Sequence, residues 1–197
     1  VRWIEKNNEW RYYSLEQNTF IDSFNITSLI RVENYLFVGT DTNCMVFDIM
    51  KEVWIKPNYL NEHSKFFVYD MIYYSNQIYL ATSDGLKRML FINNEILIDE
   101  SISFLNKDDI FNLTVNEKLL IIASEAGLFS FNEETNEFNQ ISDKLYYNLG
   151  YNKDLLILAN QKNIYKLNNQ LSHVKRMKNI ENFCFVNDYL WINNKNK

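Results

Sequence analysis

The chain has 197 residues and a net charge of −5, and 47% of its residues are apolar and 16% aromatic. That length suits one domain with a packed core. The negative charge argues against a nucleic-acid-binding surface, and no apolar run is long enough to insert into a membrane. Abundant Tyr and Phe together with a single proline favour β-structure.

Residues 1–20 match the second half of a unit that recurs later in the chain. Trp3 and Trp10 are seven residues apart, with polar residues between them that suit a tight turn. The same spacing separates Phe47 from Trp54. We therefore predict that residues 1–20 form the two outer strands of a four-stranded unit.

From residue 24 onward, a short apolar run that ends on a small residue recurs along the chain. It appears first as Tyr35–Thr40, with Gly39 as the small residue that anchors the comparison. A period of roughly 35–45 residues built from short apolar runs is typical of a β-propeller blade with four strands. Intervals of 42, 42, 36 and 34 residues separate the successive anchors, which are Gly39, Ala81, Ala123, Ala159 and Asn193.

Other positions keep a constant distance from each anchor. Eleven residues before it stands Ser, Asp or Asn, followed by an apolar residue. Several offsets held over four or five copies favour a true repeat over a chance series of unrelated hairpins. Four residues after it stands Asn or Gly, which tolerate the positive φ that tight hairpins demand; these residues are Asn43, Gly85, Gly127 and Asn163.

The sequence predicts an all-β fold, a single β-propeller domain over residues 1–197 with about five four-stranded blades. Residues 179–197 supply two inner strands, so we expect them to share one blade with residues 1–20. Such sharing would close the ring and leave no exposed strand edge. The alternative is that the chain is a fragment of a larger propeller. The complete repeats are predicted at about 24–62, 66–106, 109–143 and 145–178.

Two motifs within the repeats point to a known family. The first is Ile26-x-Ser28-Leu29 ahead of the run Tyr35–Thr40, and the second is Ile78-Tyr79-Leu80-Ala81-Thr82-Ser83-Asp84-Gly85-Leu86. These motifs resemble the repeat of two-component-regulator propellers. The resemblance implies a sensory part of a bacterial regulator outside the cytoplasm, in the periplasm or at the cell surface. It implies no kinase activity here, because the chain carries no kinase residues.

The polar residues eleven positions before the anchors form the candidate ligand site. Inner strands line the central channel of a propeller, so these side chains could form a polar ring that binds a ligand or an ion. The simpler interpretation, which we favour, is that each bonds to nearby backbone and serves the fold. The five residues are Ser28, Asp70, Asn112, Asn148 and Asn182.

Nothing in the chain indicates catalysis. Only Asp70 brings a carboxylate to that ring, whereas glycosidases need a carboxylate pair at a set separation. The sequence thus favours a non-catalytic recognition or scaffolding module that binds a protein partner or a small ligand. A five-bladed carbohydrate-binding or carbohydrate-active protein is the alternative. We expect no cofactor, and no metal site, since His63 and His173 are isolated.

The sequence also predicts the surroundings of three further sets of residues. Cys44 and Cys184 are interpreted as small buried hydrophobes without a disulfide between them. The acidic pairs at 99–100 and 108–109 are predicted to lie in solvated loops between blades. Adjacent strand residues face opposite ways. One tyrosine of each pair at 12–13, 73–74 and 146–147 should therefore enter the core, and the other should pack between blades or contribute to a protein interface.

Overall fold

The computed structural model describes a defined part of the chain, and within that part the regular secondary structure consists of strands alone. The all-β prediction is therefore confirmed. For residues 2–4, 9–11, 91–92, 186 and 194 the backbone alone is described. The described residues are 2–4, 9–11, 25–55, 65–92, 95–99, 105, 107–152, 155–167, 171–177, 179–186 and 189–194.

Four antiparallel sheets of four strands follow one another along the chain, and we name them blades 1 to 4. Each strand pairs with its neighbours in sequence, so the predicted four-stranded blades are confirmed. Blades 1 and 2 comprise β3 (Ile26–Val32), β4 (Tyr35–Thr40), β5 (Cys44–Asp48) and β6 (Val53–Ile55), then β7 (Val68–Tyr74), β8 (Gln77–Thr82), β9 (Gly85–Ile92) and β10 (Glu95–Asp99). Blades 3 and 4 comprise β11 (Ile110–Asn116), β12 (Leu119–Ser124), β13 (Gly127–Asn132) and β14 (Glu137–Ser142), then β15 (Asn148–Asn152), β16 (Leu155–Ala159), β17 (Asn163–Leu167) and β18 (Leu171–Arg176).

The blades pack face to face through apolar side chains. In blade 3, Leu120 and Ile122 belong to the cluster shared with blade 2, whereas Ile121 and Ala123 belong to the cluster shared with blade 4. Successive strand residues point to opposite faces of a sheet. The unbroken apolar runs that anchor each repeat therefore reflect strands that are buried on both faces.

Closure of the ring by the two ends of the chain is not detected among the described residues. Strands β1 (Arg2–Ile4) and β2 (Glu9–Arg11) pair with each other, as do β19 (Ile180–Val186) and β20 (Tyr189–Asn194), and neither pair joins another sheet. Leu29 is 56% exposed, whereas its counterpart in blade 2, Met71, is 6% exposed. The face of β3 that carries Leu29 is therefore covered by no described blade. The remainder of residues 1–20 lies outside the described part.

Hydroxyl side chains close the hairpins between the second and third strands of blades 1 to 3. Thr82 Oγ1 donates to the carbonyl of Gly85 at 2.6 Å, and Ser124 Oγ donates to the carbonyl of Gly127 at 3.1 Å. Both glycines have positive φ, as predicted. The same prediction is wrong for Asn43 and Asn163, which are not among the described residues with positive φ.

In the turns at Asn43 and Asn163, side chains accept backbone N–H groups. The N–H of Asn43 donates to Thr40 Oγ1 at 3.0 Å, and the N–H of Asn163 donates to Asn160 Oδ1 at 2.9 Å. These bonds satisfy the turn without a left-handed residue.

Cys44 and Cys184 are not joined by a disulfide, as expected, and their surroundings differ. Cys44 is buried between blades 1 and 2, with its Sγ 3.6 Å from Met71 Sδ, and burial raises the pKa of its thiol to about 12. Cys184 is exposed, so the expectation that it is buried is wrong. It lies on β19, whose outer face no described blade covers.

We expect a thiol reagent such as iodoacetamide at neutral pH to modify Cys184 and to spare Cys44 in the folded protein. The thiolate is the reactive form, and both burial and the raised pKa keep Cys44 protonated and out of reach. Mass spectrometry of native and urea-unfolded protein measures this, with both thiols labelled after unfolding. Equal labelling of the two cysteines in the native protein would contradict the expectation.

Candidate functional site

The predicted ring residues link the innermost strand of one blade to that of the next. Asp70 Oδ2 accepts the N–H of Leu113 in blade 3 at 2.9 Å, and its Oδ1 accepts the N–H of Met71 at 2.8 Å. Asn112 Oδ1 likewise accepts the N–H of Leu149 in blade 4 at 3.0 Å. These hydrogen bonds agree with the favoured interpretation, in which each side chain bonds to backbone and stabilises the fold.

The remaining ring residues occupy the same register. Asn148 Nδ2 donates to the carbonyl of Glu181 at 3.1 Å, and Asn182 Oδ1 accepts the N–H of Phe183 at 2.7 Å. Ser28 lies opposite Gly39, as Asp70 lies opposite Ala81. Ligand binding by this set of residues stays a prediction.

Asp70 carries the one carboxylate among these ring residues, and it is half-buried. Burial raises the pKa of this carboxyl, although the N–H groups of Leu113 and Met71 act in the opposite direction. Protonation of Asp70 therefore favours the folded state. The resulting stabilisation is complete below the unfolded-state pKa of about 3.9 and is lost as the pH rises through the higher folded-state pKa.

Replacing Asp70 with asparagine is expected to remove this part of the pH dependence, because an amide does not titrate. Urea unfolding of both proteins across the acidic range should show a difference in unfolding free energy that changes as Asp70 ionises. Glu134→Gln, which removes an exposed carboxylate, is the matched control and should leave the profile unchanged. Parallel profiles for wild type and Asp70→Asn would show that the pKa of Asp70 is not raised.

A β-bulge interrupts the innermost strand of several blades, immediately before the residue of the predicted polar ring. The register shifts between Val68 and Asp70 in blade 2 and between Ile110 and Asn112 in blade 3. Bulges re-aim the side chain of the extra residue. The residues at this position are Thr27, Tyr69, Phe111 and Glu181, and Tyr147 holds the equivalent place directly before β15.

Aromatic side chains at this position, together with Phe67 two residues before Tyr69, form a continuous row across three blades. Ring centroids are 4.6 Å apart for Phe67 and Tyr69, 5.8 Å for Tyr69 and Phe111, and 5.1 Å for Phe111 and Tyr147. All four residues are half-buried. Such tilted and edge-on contacts are favourable between aromatic rings. We call Phe67, Tyr69, Phe111 and Tyr147 the aromatic row.

The row lies at the end of the blades that carries the hairpins closed by Thr and Ser, which we call the upper face. There, the N–H of Ser83 donates to the carbonyl of Phe67 at 3.0 Å, and the N–H of Glu125 donates to that of Asp109 at 2.9 Å. These bonds attach the hairpin of each blade to the segment that precedes the innermost strand of the same blade. The row is therefore backed by hydrogen-bonded turns.

Polar groups border the row in its middle and at its Tyr147 end. Burial and the nearby Asp109 carboxylate raise the pKa of Tyr69. Beside Tyr147 lies a shallow depression of about 340 Å³, lined also by Lys144, Leu145 and the turn at 160–163. The face thus offers ring surfaces flanked by charges and amides, an arrangement suited to binding and without an evident nucleophile.

The tyrosine pairs divide between the core and the surface as predicted. Tyr74 is 9% exposed beside Tyr73 at 43%, and Tyr146 is 0% exposed beside the half-buried Tyr147. The pair at 12–13 lies outside the described residues. The row itself was not predicted from the sequence. The sequence signal that could have revealed the row is an aromatic residue directly before the residue of the polar ring. It occurs in Tyr69-Asp70, Phe111-Asn112 and Tyr147-Asn148.

Asp99 differs from its prediction, and its neighbour Glu100 lies outside the described residues. Asp99 lies in β10 and pairs with Arg88, so it is not a solvated loop residue. Asp108 and Asp109 do lie in the segment between blades 2 and 3, but both are half-buried. Among the described residues no set of three His, Cys, Asp or Glu side chains is placed to hold a metal ion. The same residues contain no apolar helix of membrane-spanning length.

Comparison of the structure with solved structures identifies bacterial proteins with the same architecture. The extracellular domain of BT4673 of B. thetaiotaomicron, assigned to the two-component systems, matches with a TM-score of 0.72 and 17% identity over 87% of this chain. The chain has a propeller-type fold. The extracellular domain of BT3049, assigned to a hybrid two-component system of the same organism, matches with a TM-score of 0.67 and 17% identity over 92% of this chain.

A third match is PorZ, a surface component of the type-IX secretion system of Porphyromonas gingivalis. Its TM-score is 0.62, with 12% identity over 90% of this chain. The chain spans 26%, 27% and 24% of the BT4673, BT3049 and PorZ structures, respectively. No protein-family model matches the sequence, and no curated protein matches it. At these identities the likeness concerns the fold, which agrees with the resemblance found in the repeats.

Proposed function

We propose that this chain is a non-catalytic recognition module that binds a protein partner or a small ligand through the aromatic row on its upper face. The observation that carries this proposal is the row itself, four half-buried rings in mutual contact across three blades. Aromatic side chains are enriched in binding surfaces because they bring large contact area at low entropic cost. Rigid blades hold the row in place.

The module would act as a sensory part outside the cytoplasm. Two of the matched structures are extracellular domains assigned to two-component systems, which supports this location. The repeat motifs support it independently.

A glycosidase is the less favoured alternative. The carboxylate of Asp70 already accepts two backbone N–H groups, at 2.8 and 2.9 Å. A hydrolytic role would require it to serve as an acid or nucleophile beside a second carboxylate at a set separation. The described ring residues contain no such second carboxylate.

A paired screen tests the proposal. A phage-displayed peptide library and a glycan array are probed with wild-type protein, with the double variant Tyr69→Ala, Phe111→Ala, and with Tyr73→Ala. Tyr73 is exposed near the hairpin at 75–76, away from the row, and serves as the matched control. We expect ligands whose binding the double variant loses and the control keeps.

Two results would contradict it. The first is the absence of any bound ligand that depends on the row. The second is hydrolysis of chromogenic glycosides that Asp70→Asn abolishes, which would establish an enzyme instead.

A further inference from the structure

A cavity of about 190 Å³ lies between blades 1 and 2, away from the aromatic row. Its mouth lies at the hairpins 33–34 and 75–76, where the exposed Glu33, Tyr73 and Asn76 line it. These hairpins follow the innermost strands, whereas the row lies where those strands begin. The cavity therefore opens at the end of the blades opposite the upper face.

Deeper between the sheets, the wall of the cavity is apolar. The buried residues that line it are Phe37, Ile78, Met89 and Ile96, all members of the cluster that joins the two blades. A cavity of about 150 Å³ lined by Leu, Ile and Phe side chains binds benzene. This cavity therefore has the size and the lining to hold one small aromatic molecule.

The repeat shows what fills the same place one blade later. Residues of blades 1 and 2 correspond to residues of blades 2 and 3 that follow them by 42 positions. Val32 of the cavity wall corresponds to Tyr74, which is 9% exposed and whose ring centroid lies 5.7 Å from that of Tyr79. The Tyr74 hydroxyl donates to the carbonyl of Lys118 at 2.6 Å. Between blades 2 and 3, a phenol ring thus stands where the cavity lies between blades 1 and 2.

Larger side chains also replace two other residues of the wall. Met89 and Ile96 correspond to Phe131 and Phe138, whose rings stack with centroids 4.3 Å apart. A smaller side chain at a packed position leaves a cavity where the surroundings do not collapse onto it. The cavity is therefore the space of aromatic rings that the next pair of blades contains and this pair lacks.

We propose that this cavity binds a small neutral aromatic molecule with a hydroxyl group, of about the size of phenol. Its ring would lie against Phe37, in the place that the Tyr74 ring holds one blade later. Its hydroxyl would donate to the carbonyl of Asn76, the counterpart of Lys118. This site is separate from the aromatic row and does not depend on the function proposed for it.

Titration with phenol tests the proposal, followed by NMR of protein labelled with ¹³C at the methionine methyl groups. We expect a saturable shift of the Met89 signal, with a dissociation constant on the order of 1 mM. The signal of Met177, which packs in the cluster shared with β19, should not move. Benzoate should bind more weakly because the Glu33 carboxylate repels an anion. Anisole should also bind more weakly, since it lacks the O–H donor.

Two variants that fill the cavity locate the binding site. Val32→Tyr should abolish the shift because it supplies the ring that Tyr74 supplies one blade later, and Ile96→Phe should do so by imitating Phe138. The matched control is Val53→Tyr, the same change at a residue of β6 that is 48% exposed and lies outside the cavity wall. It should leave phenol binding unchanged. Circular dichroism verifies that each variant is folded.

The outcomes decide the proposal without touching the function proposed for the aromatic row. A Met89 shift that is lost in both filling variants and kept in Val53→Tyr supports the site. The absence of a saturable shift would show that the cavity holds water only, and would overturn it. Binding of benzoate or anisole as tight as that of phenol, or phenol binding kept in a folded filling variant, would overturn it too. The double variant of the aromatic row should bind phenol as the wild type does.

Discussion

Replacing Arg88 with methionine is expected to lower the free energy of unfolding by about 3–5 kcal/mol. Arg88 Nε donates to Asp99 Oδ2 at 2.9 Å within blade 2. Its Nη1 donates to Glu133 Oε1 of blade 3 at 3.3 Å. The three side chains are 16–17% exposed. Removing the cation would leave two largely buried carboxylates without their partner, which is the costly way to break such a network.

The raised pKa of Arg88 also indicates that its ion pairs stabilise the folded state. Burial by itself would lower the pKa of the guanidinium, but the hydrogen-bonded Asp99 carboxylate, with the Tyr79 phenol nearby, outweighs it and raises the pKa. The cation is therefore held by its partners in the folded state.

Lys51→Met is the matched control for the Arg88 prediction. Lys51 Nζ lies 3.2 Å from Asp48 Oδ2, and the lysine side chain is 62% exposed whereas that of Asp48 is 4% exposed. Without the lysine, Asp48 Oδ1 still accepts the backbone N–H groups of Met50 and Lys51 at 3.0 and 2.9 Å. The cation itself is largely in water, so we expect Lys51→Met to cost clearly less than Arg88→Met. Urea unfolding curves measure both variants. Similar losses for the two variants would show that the contact between blades 2 and 3 does not depend on Arg88.

Replacing Gly127 with alanine is expected to cost about 3 kcal/mol or more. Gly127 has φ of +127°, a conformation that residues with a side chain rarely adopt. A Cβ at this position would lie 2.3 Å from the carbonyl oxygen of Ser142 and 3.1 Å from Asp143 Cα. Both obstacles are backbone atoms, so relief would require the paired strands β13 and β14 to separate.

Gly39→Ala is the comparison for this prediction. Its Cβ would approach Val68 Cγ1 at 2.7 Å, which is a side-chain contact between blades 1 and 2, and its φ is not positive. Overpacking of this kind costs about 1–3 kcal/mol. Urea midpoints of the two variants measure the difference. A smaller loss for Gly127→Ala than for Gly39→Ala would contradict the assigned backbone strain.

The comparison of Gly39 with its repeat partners shows where sequence reasoning ends. Ala81 and Ala123 hold the same repeat position, so the pattern alone suggests that alanine fits at residue 39. The neighbouring Val68 side chain decides otherwise, and it belongs to another blade. The same reason explains Cys184, whose exposure depends on whether a blade covers β19.

The candidate site shows a similar division. The position of the ring residues was predictable, because a Ser, Asp or Asn at a constant offset is visible in the chain. Their hydrogen bonds to the following blade were not, because Asp70 and Leu113 lie 43 residues apart. The aromatic row escaped prediction because an alternating pattern does not reveal a bulge, and the bulge is what brings Tyr69 and Phe111 to one face.

By itself, the sequence determined the strands, their grouping into four-stranded blades and the hairpins closed at Gly85 and Gly127. Those features follow from side-chain periodicity and turn chemistry, which act over a few residues. Only the tertiary structure decided which side chains meet across blades: the Arg88 ion network, the links from Asp70 and Asn112, and the aromatic row. These contacts join residues far apart in sequence, and they depend on how the sheets stack rather than on any local preference.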